Sequence, residues 1–468
     1  MKVRAKFLFW AIFILFFAVR LWLLFKPHVV IWDEAVYLGM GKYFYSFGTV
    51  GLWEILRPVV LPLFLGLLWK LSFGSLFYAE LFMLFVSLAF AVAVYIFGRE
   101  LFDEEIGAVS GIVVLLSPVF FFHSGLFLTD IPSALLALVS LILLVRRQFL
   151  ISGVFSSLAF LTRFPHGILV VSIGIALVLS DRKKWFAFYK KYLTGFFYPT
   201  IPFFVFNFIM YQKEATFFDA LLRPVLYAIP HQGNPFVAPQ NVLFYFTDMI
   251  KDNWLLIFAF VGIALYLVKK QYTDVRMNLL LFSFVFYILY FTFIPNKQLR
   301  FGLAFLGLAA VLAGYGISFL YDRISHAFLR SLFVTLLFVL ALLSVQQDSA
   351  SFEWRYTSEP PILTEFYRSF SDVRDGVVLT SDPVPAAYND VLFVPYYFSV
   401  REGLAIVKDA LREGNVRRIV YTPRSFPCEP NDEECVRLRE EMRSIITQYP
   451  LVFNRTYDGE EYWVYGVR

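Results

Sequence analysis

Asp33 and Glu34 stand side by side just after the first long apolar run of the chain. The stretch is residues 31–48, IWDEAVYLGMGKYFYSFG, with Tyr37, Lys42 and Tyr43 behind the two acids. Where a membrane span ends, paired carboxylates meet water close to the bilayer surface. There they could take a proton from a hydroxyl or hold a divalent cation. The same pair could instead only end the span and cap the next helix. Leu128-Thr129-Asp130 precedes Pro132, which puts Asp130 at a helix start, where a carboxylate is electrostatically at home. Leu161-Thr162-Arg163 closes one apolar stretch and Pro165 opens the next. Arg163 therefore stands at a break between helices, with His166 one turn on. A charge at such a break pairs with an anion or lines a polar cavity, unless it snorkels to the interface. Lys297 and Arg300 fall within one turn of Pro295-Asn296-Lys297-Gln298-Leu299-Arg300, a spacing suited to a phosphate. His123 and His231 lack partners at metal-ligand spacing.

The elements that must position these residues are apolar. Of 468 residues, 59% are hydrophobic and 16% charged, against about 45–50% and 25% in soluble domains. The pattern predicts a polytopic α-helical membrane protein with about 11 transmembrane helices, over 7–25, 76–97, 107–122, 131–145, 151–162, 165–180, 192–211, 254–268, 277–294, 301–320 and 328–345. The first run carries Arg20 and no small-residue cleavage site follows it, so it is expected to remain as a span. Residues 58–71 carry Pro58 and Pro62 and read as interfacial. With that segment lying flat, Lys2/Arg4/Lys6, Arg146/Arg147, Arg182/Lys183/Lys184/Lys190/Lys191 and Lys269/Lys270 all fall on one side, as cytoplasmic loops should. The N-terminus is then cytoplasmic. Segments 26–57, 123–130, 212–253 and 295–300 face outward, as does the tail. The net charge of +5 fits basic inner loops, and no basic run with interleaved aromatics marks a nucleic-acid groove.

The division expected is a membrane domain, 1–345, with its outer loops, and a small extracytoplasmic α/β domain, 346–468. In the tail, strands are expected at 376–380, 418–422 and 462–467, and helices at 400–413 and 434–449. Cys428 and Cys435 lie there and could form a bond or stay free thiols. Asn454-Arg455-Thr456 is an N-glycosylation sequon.

The chain resembles the C-type glycosyltransferases, and within them the protein O-mannosyltransferase and aminoarabinose transferase group. The resemblance rests on Asp33-Glu34, on Arg57-Pro58 with its apolar sequel, and on Gly98-Arg99-Glu100-Leu101-Phe102. It continues through Leu128-Thr129-Asp130, Leu161-Thr162-Arg163 and the stretch 297–301, in order over about the first 320 residues. The later-loop repeat domain of eukaryotic protein mannosyltransferases is missing, and the tail looks like the small outer domain of prokaryotic relatives.

That resemblance implies a membrane glycosyltransferase using a hexosyl or pentosyl unit on a polyprenyl (dolichyl) phosphate, acting by inversion on the extracytoplasmic face of the plasma membrane. The acceptor could be a protein, a glycan or a lipid. Catalysis falls to the first-loop acids, with Asp33 taking the acceptor's proton. Adjacent residues point in different directions, so Glu34 should differ in role from Asp33; Glu34 or Asp130 would orient the acceptor or bind a cation. Arg163, Lys297 and Arg300 would hold the donor phosphate, and Arg57, Tyr37 and His166 are further candidates. The alternative class is a lipid or solute transporter or flippase, which should show paired inverted halves.

Overall fold

The computed structural model describes residues 2–26, 30–71, 76–180, 184–213, 216–228, 242–269, 274–294, 297–345, 365–367, 369–370, 372–373, 375–428, 431–457 and 459–467. His231 and Pro295-Asn296 lie outside them. Two compact units emerge: Met1–Phe25 with Glu80–Trp354, and Lys26–Ala79 with Arg355–Arg468. The sequence-based division kept 26–79 with the membrane part; here that segment joins the C-terminal residues.

Among the described residues, six helices are long and apolar enough to cross a bilayer: Ala5–Leu23, Leu76–Leu101, Trp185–Tyr211, Val275–Phe293, Leu299–Arg323 and Ala327–Ser344. Asp130–Val145, Phe149–Thr162, Phe164–Ser180 and Trp254–Val268 are apolar but shorter. The run expected at 107–122 is two helices, Glu104–Leu115 and Pro118–His123. Asp103 caps the first, accepting the Glu105 and Ile106 N–H groups. Pro118, lacking an N–H, starts the second at no hydrogen-bond cost. Inside the first unit, polar side chains pair with one another, as an apolar surround requires. Ser157 bonds Thr200, Tyr192 donates to Ser156, and Tyr266 donates to Asn278.

The second unit holds a six-stranded sheet. Its strands are β1 (Gly51–Leu52), β2 (Val377–Thr380), β3 (Leu392–Pro395), β4 (Val416–Tyr421), β5 (Leu451–Tyr457) and β6 (Glu460–Gly466). Their order is β1-β3-β2-β4-β6-β5, with the first four parallel and β6 and β5 antiparallel. The helices Val400–Glu413 and Glu433–Ile446 contribute Val407, Met442 and Ile446 to a core shared with Leu379, Ile419 and Tyr421. Ser399 caps the former at its start and Gly414, at φ +74°, ends it. Cys428 and Cys435 are bonded to each other.

The first-loop segment enters this sheet through β1, because Gly51 and Leu52 pair in parallel with Leu392 and Phe393. Gly51 adopts φ +87°, and a Cβ there would lie 2.2 Å from the Gly39 carbonyl oxygen. Only glycine meets both demands. Helices Trp32–Tyr45 and Val60–Lys70 pack against each other where Gly41 meets Gly66. The second has 11 residues, or roughly 16 Å of helix, too short to span ~30 Å of hydrocarbon.

Candidate active site

Helix Trp32–Tyr45 begins with the two acids, and they diverge at once. Glu34 is fully buried, and its carboxylate turns back to accept the Ile31 N–H at 3.0 Å, closing the first turn as an N3 acid does. Asp33, 17% exposed, points to Arg57, whose Nη2 lies 2.8 Å from Oδ1. An acid in a first helical turn also sits at the positive end of the helix dipole. The expected difference in role is thus a difference in place: Glu34 serves the helix end, and Asp33 faces a cation.

Arg57 is shared. Its Nε lies 3.1 Å from Glu54 Oε1, and its guanidinium stands 5.6 Å from the centre of the Tyr37 ring. Tyr397, just past β3, donates to Glu54 Oε2 at 3.4 Å, and its ring meets Trp32 edge-on at 4.6 Å. Burial pushes the Glu54 carboxyl up, against the pull of Arg57. Burial alone would lower the proton affinity of Arg57, but the Asp33 and Glu54 carboxylates outweigh it and hold the guanidinium well above its usual range. Burial, then the Glu54 charge, pushes the Tyr397 hydroxyl up. Farther along the helix, Lys42 donates to the carbonyls of Ala386, Ala387 and Asn389 and pairs with Asp390.

A second cluster belongs to the first unit. Asp130 opens helix Asp130–Val145, and Arg163 lies at the break after Phe149–Thr162. They form an ion pair, Nη1 to Oδ1 2.7 Å, with side chains only 15% and 3% exposed. Two residues expected in separate roles, acceptor or metal and donor phosphate, are partners here. Arg163 lies 4.8 Å from the Phe301 ring centre and Arg300 lies 5.6 Å from it, so the two guanidiniums flank one aromatic side chain. Arg300 Nε donates to Gln298 Oε1, and the buried Lys297 ammonium donates to the Ile294 carbonyl.

The His166 ring meets neither Arg163 nor Asp130 directly, although the His166 backbone N–H donates to the Arg163 carbonyl and its partner Ser133 donates to the Asp130 carbonyl. His166 is fully buried, with Nδ1 on the Tyr287 hydroxyl and Nε2 on Ser133 Oγ. That role is structural: a bridge between three helical segments. Glu54 and Tyr397 are the residues that sequence reasoning missed. Glu54 stands three residues before Arg57 across a non-helical turn, near enough in sequence for opposite charges to meet; Tyr397, 343 residues from Glu54, leaves no local signal. Among the described residues no three His, Cys, Asp or Glu side chains converge as a metal ion would need.

Residues 56–206 match the family model described as dolichyl-phosphate-mannose-protein mannosyltransferase. No curated protein matches the chain. Among solved structures, the chain is similar to ArnT from Cupriavidus metallidurans bound to undecaprenyl phosphate, at 12% identity and TM-score 0.66 over 97% of both chains. It is similar to the oligosaccharyltransferase AglB from Archaeoglobus fulgidus in complex with an inhibitory peptide and a dolichol-phosphate, at 13% identity and TM-score 0.61, over 98% of this chain and 74% of that one. It is also similar to the arabinofuranosyltransferase AftD from Mycobacteria, at 13% identity and TM-score 0.53, over 97% of this chain and 41% of that one. At such identities the likeness speaks for the fold, which is that of C-type glycosyltransferases, as the sequence motifs had implied.

Proposed function

We propose that this chain is a membrane glycosyltransferase that moves a sugar from a polyprenyl monophosphate to an acceptor hydroxyl. The observation that carries the reading is the family match over 56–206 on a fold seen with undecaprenyl phosphate and dolichol-phosphate bound. The family model and the neighbours named for an activity are transferases, so transport is not favoured.

In the proposed reaction the acceptor heteroatom attacks the anomeric carbon from the face opposite the phosphate. The bond from that carbon to the phosphate oxygen breaks, its electron pair leaves on the polyprenyl phosphate, and the acceptor's proton passes to Asp33, giving inversion. Arg57 holds the Asp33 carboxylate in place. Phosphate is a good leaving group once its charge is matched, so cations rather than an acid are needed on that side. Lys297 and Arg300 suit that task. Arg163, already neutralised by Asp130, is better placed to fix the Phe301 wall between the two arginines. Hexosyl or pentosyl donors, and protein, glycan or lipid acceptors, are all compatible with this chemistry. The cytoplasmic N-terminus and the extracytoplasmic 26–57 loop and tail rest on the disposition of the basic clusters, and the plasma-membrane location rests on the family resemblance alone.

The test is Asp33→Asn in purified full-length protein, with polyprenyl-phosphate-linked mannose as donor probe and release of polyprenyl phosphate as readout. Losing the base should lower the rate by ~10²–10⁴ with the folded yield kept. A fully active variant would remove Asp33 from the reaction.

A further inference from the structure

We propose that Glu54 and Tyr397 are positioning residues that set the basicity of Asp33 through Arg57. This rests on the reading of Asp33 as the base, and goes beyond it by assigning a part in the chemistry to the C-terminal residues.

Arg57 uses different nitrogens for its two acids, Nη2 for Asp33 and Nε for Glu54. One positive charge therefore serves two carboxylates. While Glu54 is ionised, it draws part of the field of Arg57, and Asp33 keeps more of its affinity for a proton. With a neutral side chain at position 54, the whole charge of Arg57 would fall to Asp33 and stabilise its anion. The acid would then be a weaker base, and a weaker base takes the acceptor proton more slowly. Tyr397 supports the ionised form of Glu54, because its hydroxyl donates to Oε2. Trp32, next to Asp33, holds the Tyr397 ring at 4.6 Å, so helix start and tyrosine are fixed against each other. The groups facing this network are Asp33 and Tyr37 from the helix, Glu54 and Arg57 from the loop, Tyr397 after β3, and Asp382 after β2, whose charge acts on Tyr397.

A purely mechanical prop for the loop would give the same contacts, but it would not move a proton affinity in a stated direction. The experiment is an infrared carboxylate titration of the full-length protein without donor, the Asp33 band being identified by its loss in Asp33→Asn. Glu54→Gln should move the Asp33 midpoint to lower pH, and Glu54→Asp, which keeps the charge, should retain most of the wild-type midpoint. Tyr397→Phe should move the Glu54 midpoint upward, since a donor to the charged form is lost. Release of polyprenyl phosphate from the mannose-linked probe should fall several-fold in Glu54→Gln, in kcat and not in donor KM. An unmoved Asp33 midpoint in folded Glu54→Gln, with Asp33→Asn inactive, would overturn the proposal and leave the function standing. An active Asp33→Asn would instead remove the function reading, and this proposal with it.

Discussion

Lys42 offers the most direct test of how helix Trp32–Tyr45 is held. Its ammonium reaches three backbone carbonyls, Ala386 at 3.0 Å, Ala387 at 3.1 Å and Asn389 at 3.0 Å, and the Asp390 carboxylate at 3.1 Å. The lysine side chain is 3% exposed, Asp390 63%. Burial draws the Lys42 proton affinity down, and Asp390 opposes it. In Lys42→Met the stem still packs, but the oxygens lose their donor. Asp390 would rehydrate at little cost, as an exposed acid does. The carbonyls of Ala386 and Ala387, in buried residues at the end of the helical turn Pro385–Tyr388, have no such recourse. A buried polar group left without a partner costs about 1–3 kcal/mol, so two or three of them, partly relieved by water from the Asp390 side, give about 3–5 kcal/mol.

For a cooperative unit of this size, 1 kcal/mol shifts the melting point by about 2–4 °C, so Lys42→Met should melt roughly 6–20 °C below wild type. Tryptophan fluorescence of the detergent-solubilised protein during a thermal ramp would report it, with hydrogen exchange locating the loss at amides 385–391. The helix that carries Lys42 also carries Asp33, so transfer should weaken in parallel. If Lys42→Met melts within a degree of wild type, with exchange at 385–391 unchanged, the four oxygens do not depend on Lys42 and the energetic reasoning fails.

Two other substitutions probe buried acids. Asp130→Asn strands the Arg163 charge and should cost ~3–5 kcal/mol, while Asp130→Asn with Arg163→Met should recover most of it; equal melting points for the single and double variants would contradict a buried ion pair. Asp382, pushed up to about 6 by burial, binds a proton more tightly folded than unfolded, so its contribution to stability is complete below about pH 4 and is lost as pH rises through 6. Asp382→Asn keeps an oxygen for the Val384 N–H and should raise stability at pH 7 by an amount on the order of 2–3 kcal/mol, flattening the pH dependence of melting between 4 and 6.

The elements legible in the sequence are those whose signals are local. Helix Val400–Glu413 has the expected limits because Ser399 can cap it and Gly414 can take the left-handed turn that ends it. β4 declares itself through Ile419-Val420-Tyr421, the β-favouring stretch a few residues after that glycine. β1 has two residues and no period to read, and it becomes a strand only because Leu392 and Phe393 offer it an edge. β5 contains the polar run Asn454-Arg455-Thr456, exposed to solvent, which hides its pairing with β6. The long apolar runs are plain by composition, but apolarity alone does not show the break at Ser117-Pro118, where 107–122 divides into two helices. For His166, spacing after Arg163 suggested chemistry, whereas Ser133 and Tyr287, which occupy both ring nitrogens, lie 33 and 121 residues away.

The sequence presents charged residues as individuals, and the structure distributes them as pairs. Asp33 and Glu34 are neighbours on a helix, where successive side chains are turned by about 100°, so one can close the helix end only if the other looks elsewhere. What it looks toward is Arg57, 24 residues on, and through Arg57 toward Glu54 and Tyr397. A lone carboxylate beside a bilayer would be a solvated acid of ordinary strength. Against a shared guanidinium, its strength becomes adjustable by residues that never touch a substrate. That is why the sheet of the C-terminal residues receives β1 from the first loop: the strand fixes the turn at Gly51, the turn fixes Glu54 and Arg57, and these set the surroundings of Asp33.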